Sequence, residues 1–246
     1  MFSFFKSKKG KQVEMSRIST DMHSHILPGI DDGAKDVDQS LQLIKALKSF
    51  GYKDFIFSPH VLGDYYPNTS ESIEKSFSKL DYHLSLESNQ IHRAAAAEYF
   101  YDDRLVSLME EKAIRTLGST QYFLFELSFR GKPQLLKEFI YNVQMKGYKP
   151  VLAHPERYSY MDIETLIDLK NRGVALQLDL MSLTTNYGKD VTKLANKMID
   201  AKMFDFVGTD IHHMGHVQVI EDALCTKACH KLVNENPLKN DTLKFS

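Results

Sequence analysis

The stretch Asp21-Met22-His23-Ser24-His25-Ile26-Leu27-Pro28-Gly29-Ile30-Asp31-Asp32-Gly33 sets two histidines two residues apart, just ahead of an acidic turn. Side chains at i and i+2 of a strand point to the same side. An extended run from Ser19 to His25 therefore aims both imidazoles at one spot. Neutral imidazole and carboxylate are the usual protein ligands of divalent transition metals. The reading of the fold turns on whether later segments bring further ligands to that spot.

Working outward, Asp36 to Phe50 carries Val37, Leu41, Ile44 and Leu47 at helical spacing, with Gly51 as a C-terminal stop. An apolar strand over Lys53 to Ser58 ends at Pro59-His60. A second helix is predicted over Ser70 to Glu87, capped by Asn68 or Ser70. A small-residue strand, Gln90 to Ala97, runs into Glu98. Further on, the pattern predicts a helix over Arg104–Lys112 and a strand over Gln121–Leu127 that contains Glu126. It then predicts a helix over Gln134–Lys146 and a strand over Lys149–Ala153 that stops at His154-Pro155-Glu156-Arg157. A helix over Ile163–Asn171, a strand over Val174–Leu178 and a helix over Asp190–Ala201 follow. The last strand, Phe204–Gly208, ends at Thr209-Asp210-Ile211-His212, and one helix from Val217 to Val233 completes the pattern.

Alternating strands and helices predict an α/β fold with a mainly parallel sheet. His23 and His25, His60, Glu98, Glu126, His154, and Asp210 with His212 fall near the ends of successive predicted strands. In a closed parallel barrel such ends converge on one face, and active sites occupy that face. One such histidine carries little weight; the repetition from strand to strand carries the inference.

A hydrophobic share of 43% and a net charge of -1 suit a globular protein and argue against nucleic-acid binding through a broad basic surface. No run of about 18 apolar residues predicts a membrane span. The start lacks the apolar core of a secretory signal. Cys225 and Cys229 give no disulfide framework, which points to a reducing cytoplasm. They are read as packing residues one turn apart on the last helix. A thiol phosphatase needs a low-pKa cysteine with a phosphate-binding arginine, and neither cysteine has an arginine downstream. Residues 1–17 carry Lys6, Lys8, Lys9, Lys11 and Arg17 behind three phenylalanines. They read as a frayed basic tail, or in a sharper reading as a weak contact with an acidic membrane surface. Residues 18–246 read as one domain, since no linker or composition break interrupts them.

The motifs His-x-His-x-Leu-Pro-Gly-x-Asp-Asp-Gly, Ser-Pro-His, Ala-Glu, Phe-Glu, Ala-His-Pro-Glu-Arg and Thr-Asp-x-His resemble the PHP (polymerase and histidinol phosphatase) superfamily. More narrowly they resemble its bacterial metal-dependent protein-tyrosine phosphatases of capsule and exopolysaccharide control, over about residues 18 to 235. That resemblance implies a distorted seven-stranded (β/α) barrel, TIM-like, with three divalent ions per chain, manganese or iron, with zinc also open. Carried over by motif, His23, His25, Glu98 and Asp210 would hold the first ion. Glu98 would bridge to a second held by Glu126 and His154. Asp32, taken in preference to Asp31, would hold the third with His60 and His212. The resemblance also implies a phosphotyrosine protein as substrate, the tyrosine-rich tail of a membrane-bound tyrosine autokinase.

The chemistry such a site supplies is a metal-activated hydroxide attacking phosphorus. Arg157 would clamp the phosphate as an always-charged bidentate donor, and Tyr158 beside it is a second candidate for substrate contact. Asp210 is a candidate to assist catalysis. Relatives often carry a further arginine after the last Asp-x-His, but Val217 stands near that place and no arginine follows Arg172. Phosphate grip then rests on Arg157 or on loop lysines. Tyr65, Tyr66, Tyr99, Phe100, Tyr101 and Phe129 follow strands, and could line an aromatic mouth or simply pack. Two other functions compete with this one: a small-molecule phosphatase of the histidinol-phosphate kind, and a non-catalytic scaffold that binds a kinase.

Overall fold

Proline and small residues decide how the strands of this chain are cut. The computed structural model describes residues 11–86 and 91–245. Along the chain these form β1 (Thr20–Asp21), α1 (Val37–Ser49), β2 (Asp54–Phe57), β3 (His60–Val61) and α2 (Ser70–Ser85). Next come β4 (His92–Ala95), β5 (Glu98–Phe100), α3 (Asp103–Glu110), β6 (Tyr122–Glu126) and α4 (Leu136–Met145). The rest is β7 (Lys149–Ala153), α5 (Ile163–Asn171), β8 (Ala175–Asp179), α6 (Lys189–Asp200), β9 (Phe206–Gly208), α7 (Met214–Leu224) and α8 (Lys227–Glu235).

The strands form two parallel sheets, ordered β1-β2-β4 and β3-β5-β6-β7-β8-β9. Two expected strands are each followed, after a break, by a further short strand in the other sheet. Pro59 has no N–H to donate and separates β2 from β3; Ala96 and Ala97 separate β4 from β5. Hydrogen bonds cross both breaks, from Ala96 N–H to Phe57 O and from Glu98 N–H to Pro59 O. Glu98, expected after a strand, therefore opens one. A parallel bridge between Ser24 and Ile211 links the segment after β1 to the segment after β9.

Side chains along the strands alternate between two apolar layers. Phe55, Phe57, Phe123, Phe125, Leu152 and Leu176 join the main core with helix residues such as Leu43, Leu47, Ile140 and Ile199. Met22, Ile56, Ala96, Leu124, Val151, Ala175 and Phe206 form a separate buried cluster among the strands. Each fully buried large apolar side chain contributes about 1.5–3 kcal/mol. The period of two then sets the chemistry above this inner cluster. Leu124 is followed by Glu126, Ala96 by Glu98, and Ala175 by Gln177 and Asp179. Apolar floor and polar rim thus belong to the same strands.

Helix ends follow local chemistry, with some departures from expectation. Asp36, Asp102 and Asp162 each accept from a backbone N–H three residues on. The cap of α2 is Thr69, in a capping box with Ser72, and neither Asn68 nor Ser70. Asn68 instead donates to Ile30 O and His60 O, tying the acidic turn to β3. The single last helix expected over Val217–Val233 is two helices. Thr226 accepts from Cys229 N–H and starts α8 anew, so Cys225 and Cys229 do not share a helix.

Residues 1–10, with Lys6, Lys8 and Lys9, lie outside the described residues, as do Glu87 and Gln90. The expectation of a frayed tail fails for residues 13–17: Val13 N–H donates to Leu224 O, Met15 N–H to Phe50 O, and Met15 is fully buried. Among the described residues, no helix is long and apolar enough to cross a membrane.

Candidate metal centre

Parallel register places the first pair of ligating side chains side by side. His60 is the Cα partner of Glu98, and Phe100 of Glu126, across β3, β5 and β6. His60 Nδ1 lies 3.0 Å from Glu98 Oε2 and 3.4 Å from Glu126 Oε1. The segment after β1 brings His23 and His25 to the same carboxylate, with Nε2 atoms 3.4 and 3.5 Å from Glu98 Oε2. Both Nε2 atoms also lie 3.2 Å from Asp210 Oδ1. After β7, His154 Nε2 is 3.0 Å from Glu98 Oε1. The acidic turn places Asp32 Oδ1 3.5 Å from His60 Nε2 and 3.6 Å from His212 Nε2.

All nine residues expected as ligands thus meet in one cluster. Their donor atoms form four overlapping groups: His25, Asp32, His60 and His212; His23, His154 and Asp210; His23, His25 and Glu98; and His60, Glu98 and Glu126. The partition differs from the one carried over by motif. His60 is grouped with Glu98 and Glu126, while His154 sits with His23 and Asp210. His154 still meets Glu98 Oε1 at 3.0 Å, so Glu98 lies between the two sets.

The residues fit a metal better than a hydrogen-bond network. Nδ1 of His23 meets Gln177 Oε1 at 3.0 Å, Nδ1 of His25 meets Asp31 Oδ2 at 2.9 Å, and Nδ1 of His212 meets Asp210 O at 2.8 Å. Each of those oxygens accepts, so each Nδ1 donates and Nε2 is the ring nitrogen left facing the cluster. Glu98 Oε2 and His60 Nδ1 are both buried and take part in no hydrogen bond of acceptable geometry. Buried polar atoms in native proteins are otherwise nearly always satisfied.

Electrostatics are correspondingly tense. Burial opposes charge on His23, but Glu98 and Asp210 raise its pKa to about 9. His60 is pushed to about 10, where burial and His25 are outweighed by Glu126 and Glu98. Burial and the neighbouring His25 lower His212 to about 4. Burial would raise Glu98 and Asp210, yet His23 leads the groups that hold both well below the usual carboxylate range. Backbone strain gathers here as well: His154 and Asp210 are left-handed, with φ of 35° and 50°.

Two glycines are required by close approach. A Cβ on Gly33 would stand 1.9 Å from His25 O, and one on Gly208 2.5 Å from His23 Cβ. Gly33 is the end of the opening motif, so the Asp-Asp-Gly turn is packed against the backbone of His25 in the segment after β1.

Arg157 lies at the wall of the cluster. Its Nη1 donates to Asp210 Oδ2 at 2.7 Å and to Asp179 Oδ2 at 3.4 Å. Its guanidinium lies over Tyr187 and Phe129, at 4.3 and 5.1 Å from the ring centroids. Tyr158 does not reach the mouth, contrary to expectation. It is fully buried, its hydroxyl accepts from Leu127 N–H at 2.9 Å, and its ring lies beside Phe129 and His154. It supports the His154 wall. Tyr99 is buried, its hydroxyl accepting from Arg115 N–H, and Tyr101 packs on Phe139. Tyr65 and Phe129 are exposed, and Tyr66 stacks on His60.

Sequence reasoning set Asp31 aside as a ligand without seeing its bond to His25, and missed Gln177, Asp179 and Tyr187. Gln177 was signalled as the one amide in an otherwise apolar strand, and Asp179 as a carboxylate at that strand's end.

A parallel α/β fold with nine imidazoles and carboxylates gathered at strand ends defines a metallohydrolase-type centre. The family model described as capsular polysaccharide synthesis, CpsB/CapC, matches residues 19–239, and the chain belongs to that family. It is 28% identical over 194 residues to a putative tyrosine-protein phosphatase CapC of Staphylococcus aureus, covering 78% of this chain and 76% of that one. Tyrosine-protein phosphatase YwqE of Bacillus subtilis is 29% identical over 196 residues, covering 79% and 77%. A crystal structure from work on YwqE of Bacillus subtilis and CpsB of Streptococcus pneumoniae, described as metal-dependent tyrosine phosphatases, superposes with a TM-score of 0.78. It shares 27% identity and covers 91% of this chain and 93% of that one.

Proposed function

We propose that this protein is a metal-dependent protein-tyrosine phosphatase. The observation that carries the reading is the convergence of nine metal-type donors with one arginine at their edge. Family membership and the tyrosine phosphatases among its relatives support it. Divalent ions held there would supply an activated water and neutralise charge on the phosphate.

We read the holders as His23, His25, Asp32, His60, Glu98, Glu126, His154, Asp210 and His212, serving three ions. Glu98 is the shared carboxylate, bridging the ion of His23, His25 and Asp210 to that of Glu126 and His154, while His60 joins Asp32 and His212 at the third; contacts of Glu98 with His23, His25 and His154 support it. Manganese or iron suits such mixed imidazole and carboxylate donors, as does zinc. The closed seven-strand barrel belongs to the same reading, with β2–β3 and β4–β5 each counted as one strand position. The Ser24–Ile211 bridge supports it.

The chain's own groups divide the remaining work. Arg157 presents a planar, permanently charged fork to the phosphate. Asp210 is ionised beside Arg157, which suits a ligand and not a proton donor. Phenolate leaves readily without a general acid. Phe129, Tyr65 and Tyr66 offer aromatic surface at the mouth to a phosphotyrosyl ring. The substrate we propose is the tyrosine-rich tail of a membrane-bound tyrosine autokinase, met from the cytoplasmic side by one domain spanning residues 18–246. The basic residues ahead of that domain would add a weak contact with acidic lipid.

Turnover of a phosphotyrosine peptide with added manganese, and its loss on chelation, tests the reading. Hydrolysis of histidinol phosphate with no peptide turnover would replace it with the small-molecule alternative. Tight kinase binding without either activity would leave the scaffold.

A further inference from the structure

Two carboxylates meet the same nitrogen of Arg157, and only one of them belongs to the metal-type cluster. Asp210 Oδ2 lies 2.7 Å and Asp179 Oδ2 3.4 Å from Arg157 Nη1. Asp210 also faces His23 and His25 through its other oxygen, whereas Asp179 is in none of the donor groups. A fully buried carboxylate away from the ligand set needs its own compensation.

The structure fixes Asp179 firmly. It ends β8 in register with Gly208, its Oδ1 accepts Met181 N–H at 2.8 Å, and its own N–H donates to the buried Glu156 at 3.0 Å. Tyr187 lies over the guanidinium of the arginine it holds. Among the described residues the other N–H groups of Arg157 meet no carboxylate.

We propose that Asp179 is a positioning residue: it anchors Nη1 of Arg157 from the β8 side, with Tyr187 over the guanidinium, so that the rest of the fork stays turned to the reacting phosphate. This rests on reading Arg157 as the phosphate grip. Without Asp179, the arginine would be held by Asp210 alone and drawn toward the cluster.

A double-mutant cycle on the manganese-loaded full chain tests it, with inorganic phosphate as the calorimetric probe and a phosphotyrosine peptide as substrate. Asp179→Ala should weaken phosphate binding about tenfold, as expected for losing the geometry of a charge-assisted bidentate contact. The peptide KM should rise in step, with a smaller change in kcat. In an Arg157→Ala background the same substitution should change phosphate binding less than about twofold. Asp179→Asn keeps an acceptor oxygen and should recover part of the loss; it carries the cycle if the alanine variant does not fold. Equal weakening with and without Arg157, or unchanged phosphate affinity in the folded variants, overturns the proposal. So does a parent chain that binds no phosphate. A parent that binds phosphate but hydrolyses no phosphotyrosine peptide overturns the tyrosine phosphatase reading, while the cycle still decides the role of Asp179.

Discussion

His25 and Asp31 share a fully buried hydrogen bond, Nδ1 to Oδ2 at 2.9 Å, within the turn that also carries Asp32 to the cluster. The two adjacent aspartates have opposite environments. Asp31 is buried behind His25 and accepts from Gly33 N–H and His60 N–H, whereas the Asp32 side chain is 52% exposed and faces His60 and His212. Against the cost of burial, His25 lowers Asp31 to about 2. Orientation of a ligating histidine by such a carboxylate is worth about 10–100-fold in metal affinity.

Asp31→Asn should therefore lower manganese affinity by about 10-fold or more while leaving all nine donors in place. Competition with a chelating dye measures it. Unchanged affinity would mean that the Asp31 bond does not orient His25.

Glu98 faces His23, His25, His60 and His154 at once. Glu98→Ala should abolish turnover. In the chelator-stripped protein it should cost about 3–5 kcal/mol in urea unfolding at neutral pH, because it leaves charged imidazoles buried without their partner. A stripped variant as stable as its parent would show that the histidines are neutral there.

Burial and Asp179 push Glu156 up to about 8, and it is not among the metal-type donors. The folded chain keeps this proton while the unfolded carboxyl loses it near its ordinary value, so stability falls as pH rises between the two. Above pH 8 the difference is fully expressed. Glu156→Gln should be near neutral at pH 4.5 and stabilising at pH 8, by on the order of 4 kcal/mol for a shift of that size. Thermal unfolding across that range checks the sign; an equal effect at both ends would contradict it.

Tyr158→Phe should act on stability and not on substrate. Its hydroxyl accepts one buried N–H, so the variant should lose about 1 kcal/mol. KM for a phosphotyrosine peptide should stay unchanged. A raised KM with unaltered Tm would return Tyr158 to the binding surface.

The ligand set was legible in the sequence because its signal is local. Residue type and position at a strand end were enough to single out His23, His25, His60, Glu98, Glu126, His154, Asp210 and His212, the motif resemblance added Asp32, and the alternation of strands with helices was enough to predict a parallel sheet. Tertiary structure decided the rest. The pairing of His60 with Glu98 and Glu126 follows from the register of β3 on β5, a contact between segments far apart in sequence. Burial of Asp31 and exposure of Asp32 depend on how closely Gly33 packs under His25. Tyr158 and Tyr187 sit near the same arginine, but packing against Phe129 and His154 buried the first and left the second over the guanidinium. A side chain's chemistry is written in its own residue; its partners are set only when distant strands meet.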